Sequence, residues 1–239
     1  MNTLPKRFTM PHLYQPTDGS LVLWMKGNGS RVGIGNTAMM IDLSRQRNHG
    51  TIVGASWANS PINHPVLSFD AVDDYVQVSL NISNYNTFSM EAWVKTVTPG
   101  GGTVIGAGND VVPSNNAYFI RIPNATGLVQ FNVGTAGGTS IVITGSTDLR
   151  DNKWHHIVSV KDGNTAAYLY VDGVLVGTDS TISSMLAFLS LTIGALNGDS
   201  GVPEILFNGL IDEVRIYNRV LSASEIFQHY NNTEHLYGK

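Results

Sequence analysis

The segment FNGLIDEVRIYNRVLSASEI, from Phe207 to Ile226, constrains this chain more than any other, because it joins a strand, an acidic pair and a capped helix in one order. Leu210, Asp212, Val214 and Ile216 alternate with Ile211, Glu213, Arg215 and Tyr217. A period of two with β-branched and aromatic residues predicts a half-buried strand, on which the adjacent Asp212 and Glu213 point to opposite faces. Ser222 and Glu225 then form an S-x-x-E capping box, and Leu221 is placed to staple onto Ile226.

The same alternation recurs along the chain. Strands are predicted over Leu21–Met25, Thr51–Trp57, Val66–Phe69, Tyr75–Val78, Phe88–Thr96, Thr103–Ala107, Ala117–Ile122, Leu128–Val133, Thr139–Ile143, Trp154–Lys161, Ala166–Val171, Val174–Thr178, Leu189–Ile193 and Phe207–Tyr217. Asp172-Gly173 supplies the positive φ of a tight hairpin, and Asp162-Gly163-Asn164 does the same between two other strands. With 25 glycines, 9 prolines and 42% hydrophobic residues in 239, this is the composition of one β-sandwich with a large core. Residues 1–19 carry Pro5, Pro11 and Pro16 without periodicity and are read as an extended arm, leaving residues 20–239 as the sandwich. Two readings of it stay open: an ordinary frayed terminus, or an arm whose Phe8, Met10, Leu13 and Tyr14 lie on a neighbouring subunit in self-association.

Charged residues make up 13% of the chain and the formal net charge is −4, so nucleic acid is not an expected partner. The absence of cysteine removes disulfides, thiol nucleophiles and zinc–thiolate sites. No stretch reads as a membrane span, and the N-terminal residues lack the apolar run of a secretory signal. The expected location is extracellular or on a virion surface, reached after removal of a leader or by release from a cytoplasm.

Several motifs in fixed order carry a family resemblance. IDLSRQRNHGTIVGASW (Ile41 to Trp57), LSFDAVDDYVQV (Leu67 to Val78), FSMEAWVK (Phe88 to Lys95), KWHHIVSVKDGNTAAYLYVDGVLVG (Lys153 to Gly177), LTIGA (Leu191 to Ala195) and the terminal strand and helix resemble the concanavalin A-like, laminin-G-like domains. The resemblance implies an all-β jelly-roll sandwich of two antiparallel sheets with a short C-terminal helix. It also implies a calcium ion (Ca2+) held by Asp42 and Asn48 on the first loop and by Asp212 on the last strand. Such an ion takes several oxygen ligands and needs no cysteine. Arg45, Gln46 and Arg47 replace the small residues usual in that loop and set two cations beside the site.

Glucanases share the architecture, but their E-x-D-x-x-E strand is missing: Glu91, Glu213 and Asp73-Asp74 do not reproduce the spacing that glycoside hydrolysis requires. There is no G-x-S-x-G elbow. His155 and His156, adjacent on a strand, face opposite sides, one packed and one solvated. The chain is therefore read as non-catalytic, recognising carbohydrate or glycoprotein.

Sugar rings are held by aromatic faces with flanking amides and carboxylates. Trp93 shares a strand face with Glu91 and Lys95, and Glu213, Arg215, Tyr217, Tyr168 and Tyr170 extend a polar, aromatic sheet surface. Tyr118, next to Asn109, Asp110, Asn115 and Asn116 of a long Asn-rich loop, offers a second site, and the Asn197–Glu204 segment is a further variable loop. The competing role is structural, with the sandwich serving as a packing unit in a virion surface or fibre.

Overall fold

The computed structural model describes residues 18–27, 32–34, 37–82, 85–109, 116–134, 140–182, 190–197 and 202–239. The early strands are β1 (Leu21–Met25), β2 (Val32–Ile34), β3 (Thr37–Met40), β4 (Gly50–Val53), β5 (Ser56–Asn59) and β6 (Pro65–Asp70). Next come β7 (Tyr75–Val78), β8 (Phe88–Val97), β9 (Gly102–Asn109), β10 (Asn116–Ile122), β11 (Leu128–Gly134), β12 (Ser140–Asp148) and β13 (Asp151–Asp162). The last are β14 (Ala166–Val171), β15 (Val174–Asp179), β16 (Leu191–Ile193), β17 (Leu196–Asn197), β18 (Pro203–Glu204) and β19 (Asn208–Tyr217). Helix α1 (Ala223–Thr233) and a 3₁₀ turn (Glu234–Tyr237) follow.

Two sheets face each other. One has 8 strands in the order β15-β14-β13-β8-β19-β6-β5 with β1 also on β19; the other has 11, in the order β12-β11-β10-β9-β16-β7-β4-β3-β2 with β17 and β18 off that path. Strand β8 shows why they close. Phe88, Met90, Ala92 and Val94 all lie in the buried core between the sheets, where they meet residues such as Val78, Tyr118, Ile120 and Phe131 from the second sheet. Period-two alternation thus places one apolar set per strand inside, and burial of that area drives the closure.

The predicted Thr51–Trp57 strand is in fact two strands in different sheets, β4 and β5. Gly54 turns the chain between them at φ 69, and a Cβ there would lie 2.3 Å from Asp74 Oδ1. Only glycine meets both conditions.

The last strand departs from the expected alternation. Its pairing with β8 shifts register between Asp212 and Arg215, and Glu213 sits at φ 49. This bulge puts Ile211 and Val214 both into the core. Asp212 and Glu213 therefore share the outer face instead of pointing apart.

Helix α1 begins as its sequence predicts. Ser222 is the N-cap at φ −69 and ψ 155, with the reciprocal Ser222–Glu225 capping box formed. Leu221 and Ile226 lie together in an apolar cluster on the outer face of the first sheet, with Val158, Tyr170 and Tyr217. The helix buries Ile226, His229 and Thr233 against that sheet.

Candidate functional site

Helix α1 and the 3₁₀ turn cover the polar, aromatic sheet face that the sequence marks out. Trp93 is 1% exposed, stacked on Tyr237 at 4.3 Å and on Tyr230 at 5.8 Å between ring centres. Its indole N–H donates to Thr233 Oγ1 at 2.9 Å. Trp93 therefore has no face left for a sugar, and the expectation that it binds glycan is corrected. The face is neither an open platform nor a solvated surface; it is the seat of the helix.

That seat is held by buried charge. Glu91 Oε1 accepts from Arg215 Nη1 at 2.8 Å, and Glu91 Oε2 faces His229 Nδ1 at 2.9 Å and His156 Nε2 at 3.5 Å. Glu213 Oε2 accepts from Arg215 Nη2 at 2.6 Å and from the Trp24 indole N–H at 2.8 Å. Burial pushes the Glu91 carboxyl up, but His229 and Arg215 beside it hold it well below the usual carboxylate range. Both carboxylates are sealed away from any glycosidic bond. The two histidines point to opposite sides but are both buried, so the expected solvated one is corrected. His155 lies between Asp151 and Asp172, while His156 packs at 5.3 Å from the Trp93 ring.

Asp42, Asn48 and Asp212 form no cation cage. Asp42 Oδ1 accepts from the Trp24 and Ser44 backbone N–H groups, each at 2.8 Å, and Oδ2 from Ser44 Oγ and the Asn48 N–H, each at 2.7 Å. Asn48 Nδ2 donates to the Val22 carbonyl at 2.9 Å. Asp212 Oδ1 accepts from the Gly27 N–H at 2.9 Å, while Oδ2 accepts from Tyr237 Oη at 2.8 Å and lies 2.7 Å from His64 Nε2. Calcium needs oxygens free to face it, whereas these carboxylates face N–H and O–H donors. The arrangement does not fit the ion; both aspartates instead stitch β1 and its flank to the sandwich. Adding millimolar calcium after chelation is expected to leave the melting temperature unchanged, and a clear rise would reinstate the site. Among the described residues the carboxylates that do converge are Asp70, Asp73 and Asp74, within 4.8 Å of one another at the β6–β7 turn. Their adjacency in FDAVDD is the only sequence signal for it.

The remaining candidates lie at one end of the second sheet. A single row of paired residues crosses eight strands: Met40, Gly50, Val78, Leu191, Ala107, Tyr118, Val133 and Ile141. Strands β3, β7, β9 and β11 end, and β4, β10, β12 and β16 begin, on the same side of this row. Asn109 pairs with Asn116 at the mouth of the β9–β10 hairpin. Asp110 and Asn115 lie outside the described residues. Arg45, Gln46 and Arg47 are exposed at this end, whereas Tyr118 is not a loop residue at all. It is wholly buried, edge-on to Phe88 at 5.2 Å, and burial pushes its hydroxyl up. The glycan-binding expectation for Tyr118 is corrected accordingly: a core ring cannot reach a ligand.

A profile described as the concanavalin A-like lectin/glucanases superfamily, of laminin-G type, matches residues 70–227. The chain belongs to this superfamily. No curated protein sequence matches this laminin-G-like chain. Solved structures similar to it include the binding domain of Paraclostridial Mosquitocidal Protein 1, at 15% identity and a TM-score of 0.70, covering 92% of this chain and 55% of that one. The botulinum neurotoxin serotype D binding domain is similar at 15% identity and a TM-score of 0.66, covering 89% and 52%. The binding domain of botulinum neurotoxin DC in complex with SialylT is similar at 17% identity and a TM-score of 0.62, covering 89% and 51%. The laminin-G-like chain thus spans about half the length of these domains, and at such identity they establish the shared jelly-roll fold.

Proposed function

We propose that this laminin-G-like chain is a non-catalytic recognition module that binds carbohydrate or glycoprotein at a cell surface or extracellular polymer. It does so through the loops at the end of the sandwich beyond the Met40–Ile141 row. That row carries the reading, because a single line of backbone pairing sets the ends of eight strands together along one side of the sheet. Asn109, Asp110, Asn115 and Asn116 supply amides and a carboxylate for sugar hydroxyls. The exposed guanidinium groups of Arg45 and Arg47 suit an acidic sugar. A complex with SialylT in one structural neighbour, and dependence of another on two ganglioside molecules, support the same ligand class. The burial of Glu91 beneath His229 of α1, and of Glu213 against Trp24 and Arg215, supports the absence of glycoside hydrolysis.

The test is a glycan array of sialylated and neutral structures, followed by a chain carrying Asn109→Ala, Asp110→Ala, Asn115→Ala and Asn116→Ala together. Loss of a few hydrogen bonds is expected to weaken the array hit by at least ~10-fold at an unchanged melting temperature. Equal binding by parent and variant would remove the loop end as the site.

A further inference from the structure

The edge strands of the two sheets, β12 and β15, leave a cleft of ≈ 180 Å³ between them. It lies away from the loop end: along β11 and β12 it is reached at Val129 and Gly145, four residues from the Val133–Ile141 pair, or about 13 Å at the rise of a strand. Val129, Leu149, Val171 and Val176 line it with aliphatic surface. Its polar lining is small and specific, consisting of Ser146, Thr147, and the His155–Asp172 pair.

That pair is fixed in place before any ligand arrives. Asp172 Oδ1 accepts from the His156 backbone N–H at 2.9 Å, and Oδ2 lies 2.9 Å from His155 Nδ1 and 2.5 Å from Lys239 Nζ. The other ring nitrogen, His155 Nε2, lies 3.1 Å from Asp151 Oδ1. Burial pushes the Asp172 carboxyl up, but His155, Lys239 and the His156 amide bring it down to about 2, so it is an anion across the neutral range. Gly145 keeps β12 close to the floor, since a Cβ there would come within 3.0 Å of Val129 Cγ1. Among the described residues strand β12 pairs with β11 alone, so its outer edge runs along the cleft.

We infer that this cleft is a second carbohydrate subsite, which takes one neutral pyranose ring. A pyranose has an aliphatic C–H face for the valine and leucine floor, and a rim of hydroxyls. One hydroxyl donates to Asp172, whose Oδ1 accepts from the His156 N–H alone and whose side chain is 25% exposed, and the others exchange hydrogen bonds with the Ser146 and Thr147 side chains. The volume admits a single ring, so an oligosaccharide enters by its terminal residue. A carboxylated sugar is excluded, because its charge would meet the Asp172 anion without a free cation to balance it: Lys239 and His155 already face carboxylates. This subsite does not rest on the loop-end reading and selects the opposite charge class of sugar.

The test is amide-resolved NMR of the full chain titrated separately with glucose, galactose, mannose and N-acetylneuraminic acid. At least one neutral hexose is expected to shift the Ser146, Thr147, Val171 and Val176 resonances, saturating with a Kd on the order of millimolar, as suits a ligand of this size. N-acetylneuraminic acid is expected to leave them in place. Ser146→Trp puts an indole in the mouth from an exposed position and should weaken the hexose response at least ~10-fold without changing the melting temperature. Thr147→Val, also exposed, removes one rim hydroxyl and should weaken it less. The inference is overturned if no neutral hexose moves these resonances, if the response survives intact in Ser146→Trp, or if N-acetylneuraminic acid moves them as strongly. Because the loop variants leave this cleft untouched, failure here and failure at the loop end are read separately.

Discussion

Replacing Asp42 with alanine is expected to destabilise the sandwich by about 3–5 kcal/mol, since it strips the acceptors from three backbone N–H groups at once. Those groups belong to Trp24, Ser44 and Asn48, and they join β1 to the loop after β3. Each buried donor left unpaired costs about 1–3 kcal/mol, and partial entry of water keeps the total below a simple sum. Asp42→Asn retains one oxygen and is expected to lose about half as much. Urea unfolding with an unchanged m-value measures the difference. A loss under about 1 kcal/mol for the alanine variant would show that the Asp42 bonds are replaced by solvent, and would reopen the residue to a ligand role.

Glu91→Gln is expected to cost about 2–4 kcal/mol, because it removes the buried anion that faces both Arg215 and His229 and leaves Arg215 paired with Glu213 alone. The same residue sets the response to acid. Its folded-state pKa lies below its unfolded value, so its contribution is fully present above about pH 4.5 and is lost as pH falls through the folded value. Glu225 in the helix cap and Asp172 at the β14–β15 turn, both brought down to about 2, act in the same direction. Stability should therefore decline between about pH 4.5 and 2, with α1 leaving the sheet first and Trp93 fluorescence reporting its exposure. In Glu91→Gln this acid slope should be shallower. If the glutamine variant unfolds at the parent's urea midpoint, the buried charge layer does not hold the helix.

Sequence periodicity located the terminal strand, the Ser222–Glu225 box and several strands to the residue, among them Tyr75–Val78 and Ala166–Val171. These are local properties. Alternation also identified Trp93, Glu91 and Arg215 as facing away from the core, but it cannot say what lies over a sheet face. The missing signal was in the helix: Ile226, His229 and Thr233 recur at helical spacing, and a stripe containing a histidine and a threonine calls for a polar surface to meet. Tyr118 stands beside Asn-rich neighbours in sequence, yet Ile120 and Ile122 at the same parity place it inside. The bulge at Glu213 was not legible, because an extra residue in a strand shows only against its partner's register.

The row from Met40 to Ile141 also bears on how such a chain can change over generations. The connections beyond that row take no part in the pairs that build it, and doubling the length of one costs only about 0.6 kcal/mol in closure entropy. A change of that size is small beside the cost of disturbing the Asp42 stitch or the Glu91 layer. Insertions and new side chains can therefore accumulate at one end while the scaffold is inherited unchanged, so that relatives with the same β-strands can acquire unrelated ligands.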